Sequence, residues 1–126
     1  MKIATRLLTT WLFLMSASTQ VANAGSAVAF EPRSGKMVNS TGHPEHVAIQ
    51  RAMAGARHLY GPNVRILAAT DVTGYCAVGV ASRVGKTVIV GAALGRPSAA
   101  DARDIVLDQL YRAGGIKPKI ISRWRG

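Results

Sequence analysis

The chain has 126 residues, one cysteine and a formal net charge of +10, from 16 basic and 6 acidic side chains. A lone cysteine excludes an internal disulfide framework, and the length excludes a large multidomain enzyme. The positive balance directs attention to anionic partners: phosphorylated surface polymers, lipid head groups, acidic proteins and, behind these, nucleic acid.

Lys2 and Arg6 precede an apolar run from Leu7 to Ala17, followed by polar Ser18, Thr19 and Gln20 and then Ala22-Asn23-Ala24. That order is the layout of a secretory signal peptide over residues 1–24. The 11-residue run is too short to span a bilayer, which takes about 20 residues. The expected address is therefore periplasmic or secreted. Cleavage after Ala24 leaves a single domain, 25–126, of 102 residues and charge +8.

In the mature part, Ala27 to Glu31 reads as a strand, Pro32-Arg33-Ser34-Gly35 as turn chemistry, and Lys36 to Thr41 as the returning strand. A helix opens at Gly42-His43, with Pro44 in its first turn and Glu45 at its positive end. Ala48, Ile49, Ala52, Met53, Ala56, Leu59 and Tyr60 recur at helical spacing and predict one apolar face. Gly61 and Pro62 stop the helix. Asn63 to Ala69 predicts a third strand, with Val64, Ile66 and Ala68 on one side and Arg65 and Leu67 on the other.

The second half repeats this order. Cys76 to Ser82 and Thr87 to Ala93 form a hairpin around Arg83-Val84-Gly85-Lys86. Thr87 to Val90 is β-branched and apolar, which predicts the most buried strand. Cys76 lies inside an apolar strand and is expected to be buried, the alternative being a bond between two chains. Ser98 suits an N-cap, with Asp101 three residues on. The helix continues to Ala113, burying Ala102, Val106, Leu107 and Leu110, and Asp108 can pair with Arg112 one turn away. Gly114-Gly115 ends it, and Ile116 to Trp124 is the last strand. Pro118 argues for a sheet edge or for a strand that starts after it.

The halves, 26–70 and 75–124, align with an offset of 50 through the hairpins and 54 from the helices onward. The predicted class is α+β: a duplicated ββαβ unit, a six-stranded and largely antiparallel sheet, and two helices on one face. A pseudo-twofold axis would place the two R-x-G-K turns at equivalent corners.

Ser98, Ala102, Val106 and Leu107 in the second half, and Ala48, Ala52 and Met53 in the first, follow a Ser-x3-Ala-x3-Ala-Leu-like run. In this run and in the ββαβ order, the mature chain resembles a group of small exported bacterial proteins known as domains of unknown function. The resemblance implies export and architecture, and no activity. Those proteins carry cysteines near the helix ends, where this chain has none.

Gly85-Lys86-Thr87 matches the end of a phosphate-binding loop, but Val80 stands where the first glycine belongs and a strand follows where a helix is required. His43, Glu45, His46 and His58 cluster in sequence. His46 and His58 are twelve residues apart, a rotation of about 120° around a helix, so they do not converge. No serine or cysteine has a base and an orienting group at readable spacing, and Glu31 and Asp71 are the only acids outside the helices. No catalytic residue, metal or cofactor is therefore assigned, and an enzyme is the weaker reading.

The candidate anion-binding residues are Arg33, Lys36, Arg83 and Lys86 at the turns. A second group is Lys119, Arg123 and Arg125, with Lys117, flanking Trp124. An aromatic among cations stacks on a base or settles at a lipid interface. The expected function is a non-catalytic binding or structural module for an anionic envelope polymer, membrane surface or acidic protein. One alternative is a secreted hydrolase of envelope material, which needs a cleft with perturbed titratable groups. The other is an inhibitor or immunity-type protein for another exported protein, marked by an exposed apolar patch or sheet edge. A homodimer also fits.

Overall fold

Small residues at alternate positions decide how these strands stack. The computed structural model describes residues 25–126 apart from Lys86; residues 1–24, with the signal-peptide reading, lie outside the described residues. Strand β1 (Gly25–Phe30) buries Ala27 and Ala29 on one face and Val28 on the other, all at 0% exposure. A strand apolar on both faces has to be covered from both sides.

β1 is the centre of an antiparallel sheet, between β2 (Met37–His43) and β3 (Arg65–Thr70), with helix α1 (Glu45–Tyr60) connecting β2 to β3. The second half repeats this with β4 (Tyr75–Arg83) between β5 (Thr87–Arg96) and β6 (Ile116–Arg125), and with α2 (Ala99–Arg112). The protein is thus α+β, a duplicated ββαβ unit with six antiparallel strands and two helices. The strands divide into two three-stranded sheets, β2-β1-β3 and β5-β4-β6, instead of running as one. Each helix packs on one face of its own sheet: Ala27 and Ala29 against Ala48, Ala52 and Ala56, and Ala77 and Ala81 against Ala102, Val106 and Leu110. The opposite faces meet through Val28, Val78 and Ala92, joined by Met37, Leu67, Leu94 and Trp124. A single sheet with both helices on one face would leave Val28 and Val78 in water, and the division avoids that cost.

The repeat extends to the irregularities. β3 bulges against β1 between Val28 and Ala29, and β6 bulges against β4 between Val78 and Gly79, 50 residues on. A second pair of shifts falls where β2 and β5 each pass a glycine of positive φ, Gly42 at 83° and Gly95 at 66°. Bulges redirect strands and side chains and are features of a fold, not accidents. The buried helix positions Ala48, Ala52 and Ala56 match Ala102, Val106 and Leu110 at an offset of 54. The hairpins do not keep the offset of 50. β1 and β2 separate after Phe30↔Met37, whereas β4 and β5 pair on to Arg83↔Thr87. The offset is already 53 between the second strands.

Three expectations are corrected by this geometry. The most buried strands are the central β1 and β4; in β5, at an edge, Thr87 is exposed and Val88 to Val90 are half-buried. Ala68 shares the inter-sheet side with Leu67, because the β3 bulge inserts one residue and breaks the alternation. Leu59 is 61% exposed, at the margin of the α1 stripe. Pro118 does lie on an edge strand, β6.

The helix starts differ. Ser98 Oγ accepts the Asp101 N–H at 3.0 Å, while the Asp101 carboxylate turns to Arg96 Nε at 2.6 Å. Pro44 offers α1 no side-chain cap, and Asp71 supplies it from beyond β3: its Oδ1 accepts the Glu45 N–H at 2.8 Å. Among the described residues no helix is long and apolar enough to cross a membrane.

Candidate anion-binding site

β6 is an edge strand with cations at 117, 119, 123 and 125. In an unbroken strand these odd positions would share one face. The bulge at Ile121 splits them. Arg123 and Arg125 stand opposite Ala77 and Tyr75, on the α2 side, whereas Lys119 stands opposite Val80, on the inter-sheet side. Opposite residues of an antiparallel pair share a face, so one strand presents two cationic groups.

Each group lines a cavity. The larger, about 290 Å³, lies at the start of α2 and is lined by Tyr75, Cys76, Ala99, Arg123, Trp124 and Arg125. The Arg125 guanidinium sits 5.1 Å from the centroid of the Tyr75 ring, a cation–π contact that holds it over the cavity wall. The smaller, about 220 Å³, opens where the first hairpin crosses the second sheet, and Lys117, Lys119, Ser34 and Ser82 line it with Val80 and Val88. Lys117 adopts φ 54°, the single positive φ outside glycine among the described residues.

The β6 cations carry no ion pair among the described residues, a property they share with Arg51, Arg57 and Arg65; the cavities they line are what distinguishes them. Among the described residues the ion pairs are Arg96–Asp101, Arg103–Asp104 and Arg112–Asp108, the last joining the predicted partners at 2.8 Å. None involves β6. Asp71 is taken up by the α1 cap, and Glu31 by its own turn, where it accepts the Ser34 N–H at 2.8 Å and the Arg33 N–H at 3.0 Å. The Ser34 side chain and the Arg33 main chain hold the Glu31 carboxyl below the usual carboxylate range.

The turn cations do not form a symmetric pair. Arg33 is exposed at its tip. Lys36 Nζ lies 5.8 Å from the Tyr60 ring at the end of α1, and the Arg83 side chain runs beside Gly114 just past α2. Both therefore sit at the negative ends of helix dipoles, a structural use of their charge. Gly35 is buried against Val88 while Gly85 faces open space. Lys86 lies outside the described residues.

Cys76 is buried at 2% exposure, with Sγ 3.7 Å from the Gly74 carbonyl oxygen and 4.0 Å from Ser26 Oγ. Neither neighbour is a base that would activate it. Among the described residues no three His, Cys, Asp or Glu side chains gather as a metal site would require. Trp124 contributes a buried indole N–H with no acceptor, the single such side-chain group among the described residues.

Sequence reasoning found the β6 cations and missed Tyr75, Ala99, Ser34 and Ser82. These join the site through strand register and through the docking of one half on the other, neither of which has a local signature. Comparison with protein-family models, curated proteins and solved structures finds no match to this chain.

Proposed function

We propose that the protein is a small exported binding module, without chemistry of its own, that meets an anionic partner of the cell envelope through β6. One observation carries this reading: the four β6 cations have no carboxylate partner among the described residues, and they line both cavities. Charges meant only for solubility have no reason to border concave surfaces, whereas a binding site does. The hydrolase alternative has less support, because Glu31 and Asp71 are both engaged by main-chain N–H groups.

The test is binding of the mature chain to an anionic polymer, long-chain polyphosphate, over a salt series. Neutralised phosphates release counterions, so affinity falls steeply, in proportion to the number of contacts, between about 50 and 200 mM salt. Binding that ignores salt contradicts the reading.

A further inference from the structure

The two halves treat their helix starts in opposite ways, and that contrast singles out the larger cavity. In the first half the chain supplies its own oxyanion: Asp71 Oδ1 accepts the first N–H of α1, from Glu45, at 2.8 Å. In the second half β6 pairs with β4 as β3 pairs with β1, at an offset of 54, so Arg125 takes the place of Asp71 and Ala99 the place of Glu45. The sign of the charge is reversed. Ser98 is engaged with the Asp101 N–H and Asp101 with Arg96, so the Ala99 N–H keeps no side-chain acceptor among the described residues.

The cavity itself is a product of the second half. Tyr75 replaces Gly25, Arg123 replaces Ala69 and Trp124 replaces Thr70 at equivalent register positions. Three small residues have become large ones: Tyr75 and Arg123 stand with Arg125 along a space of about 290 Å³, while the Trp124 ring turns to the core between the sheets. Arg123 and Arg125, two residues apart on one face, are spaced by about 7 Å along the strand. Guanidinium groups grip phosphate and carboxylate oxygens with paired donors.

We propose that this cavity seats one phosphate monoester group, held by Arg123, Arg125 and the Ala99 N–H, in the place that the Asp71 carboxylate fills in the first half. Two guanidiniums match a dianion in charge, and they offer more donors than one carboxylate can accept. The Tyr75 ring, on the same face as the two arginines, suits the apolar or ring-bearing body that carries the phosphate. The inference rests on the binding-module reading and names the ligand group of the larger of its two cavities. Two sources share this chemistry, a soluble sugar phosphate and the head group of phosphatidic acid.

The test is calorimetric titration of the mature chain with glucose 6-phosphate and with vesicles containing phosphatidic acid, glucose and neutral vesicles being the blanks. Wild type is expected to bind at least one phosphate probe, and the probe that binds identifies the source. The R123Q/R125Q double variant loses about tenfold or more in affinity, as expected for removing charge-assisted bonds. R51Q/R57Q, on the exposed face of α1, leaves it within about twofold, since those arginines border neither cavity. R125D is a second check: it restores a carboxylate at the Asp71-equivalent position, so it keeps the fold by circular dichroism and abolishes phosphate binding. Equal phosphate affinity in wild type and in folded R123Q/R125Q overturns the proposal. So does glucuronate binding as tightly as glucose 6-phosphate. Wild type that ignores both phosphate probes but binds polyphosphate with a steep salt dependence overturns the cavity assignment and spares the wider reading. Failure of all three probes overturns both.

Discussion

Ser26 Oγ and Cys76 Sγ lie 4.0 Å apart across the join between the two sheets, and they occupy the same position in the two copies of the repeat. Equivalent residues that touch must stand beside the axis relating the copies. Val28 and Val78, equivalent in the same way, share the core between the sheets. The two halves therefore pack through the inner faces of their sheets, with β5 lying against β1 and β3.

That placement makes Cys76 inert in the folded state. Ellman's reagent is expected to label it only as fast as the protein opens, and promptly in denaturant. Oxidation is expected to produce no disulfide-linked dimer on a non-reducing gel. Prompt labelling of the native protein would place the thiol at an open surface and contradict the packing.

The halves fill equivalent space with different residues. Where the first has Ala29 under Ala52, the second has Gly79 under Val106, so volume moves from the strand to the helix. A Cβ on Gly79 would fall 2.8 Å from Val106 Cγ1 and 2.7 Å from the Lys119 carbonyl oxygen. Gly79→Ala is expected to cost about 1–3 kcal/mol through overpacking. Adding Val106→Ala removes one of the two clashes, so the double variant should fall short of the sum of the single effects in urea denaturation. Additive losses would mean that the two positions do not share this contact.

Much of the architecture was legible because it rests on local chemistry. Ser98 announces the α2 cap, Pro118 announces an edge strand, and the helix stripes through Ala48–Ala52–Ala56 and Ala102–Val106–Leu110 follow from spacing alone. The division into two sheets was not legible. Its cause is that β1 and β4 are small and apolar on both faces, so alternation is invisible in them. The bulges at Leu67 and Ile121 hide as well, since each adds one residue to a local apolar run, Ile66-Leu67-Ala68 and Ile120-Ile121, and leaves no mark. Thr87 to Val90 looked most buried because β-branched residues suit strands, but burial depends on having neighbours on both sides, which β5 lacks. Of the candidate site, charge on β6 was readable. The split of that charge between two cavities was not, because it depends on the bulge.

Asp71 caps a helix 26 residues earlier in the chain. Asp71→Ala is expected to cost about 1 kcal/mol, the usual worth of a lost cap, seen as a lower midpoint in urea. Unchanged stability would show that the Glu45 N–H is equally well served by water.

Glu31 organises the first hairpin turn through Ser34 and Arg33, and its pKa is lowered in the folded state. A depressed carboxyl stabilises the fold above its unfolded pKa and loses that contribution as pH falls through the folded value. Glu31→Gln is therefore expected to lower the melting temperature at neutral pH and to converge with wild type in acid. A difference that grows toward low pH has the wrong sign for this contact.

The central claim is that β6 carries the binding, and the most direct measurement is the slope of log affinity against log salt for polyphosphate. Wild type is compared with a variant neutral at Lys117, Lys119, Arg123 and Arg125, and with a control neutral at Arg51 and Arg57, exposed residues of α1. Each lost phosphate contact reduces the slope by about 0.7–0.9. A large fall for the β6 variant with little change in the control is the predicted result. Equal slopes in all three folded proteins would contradict it and return the β6 cations to the status of solvated charge.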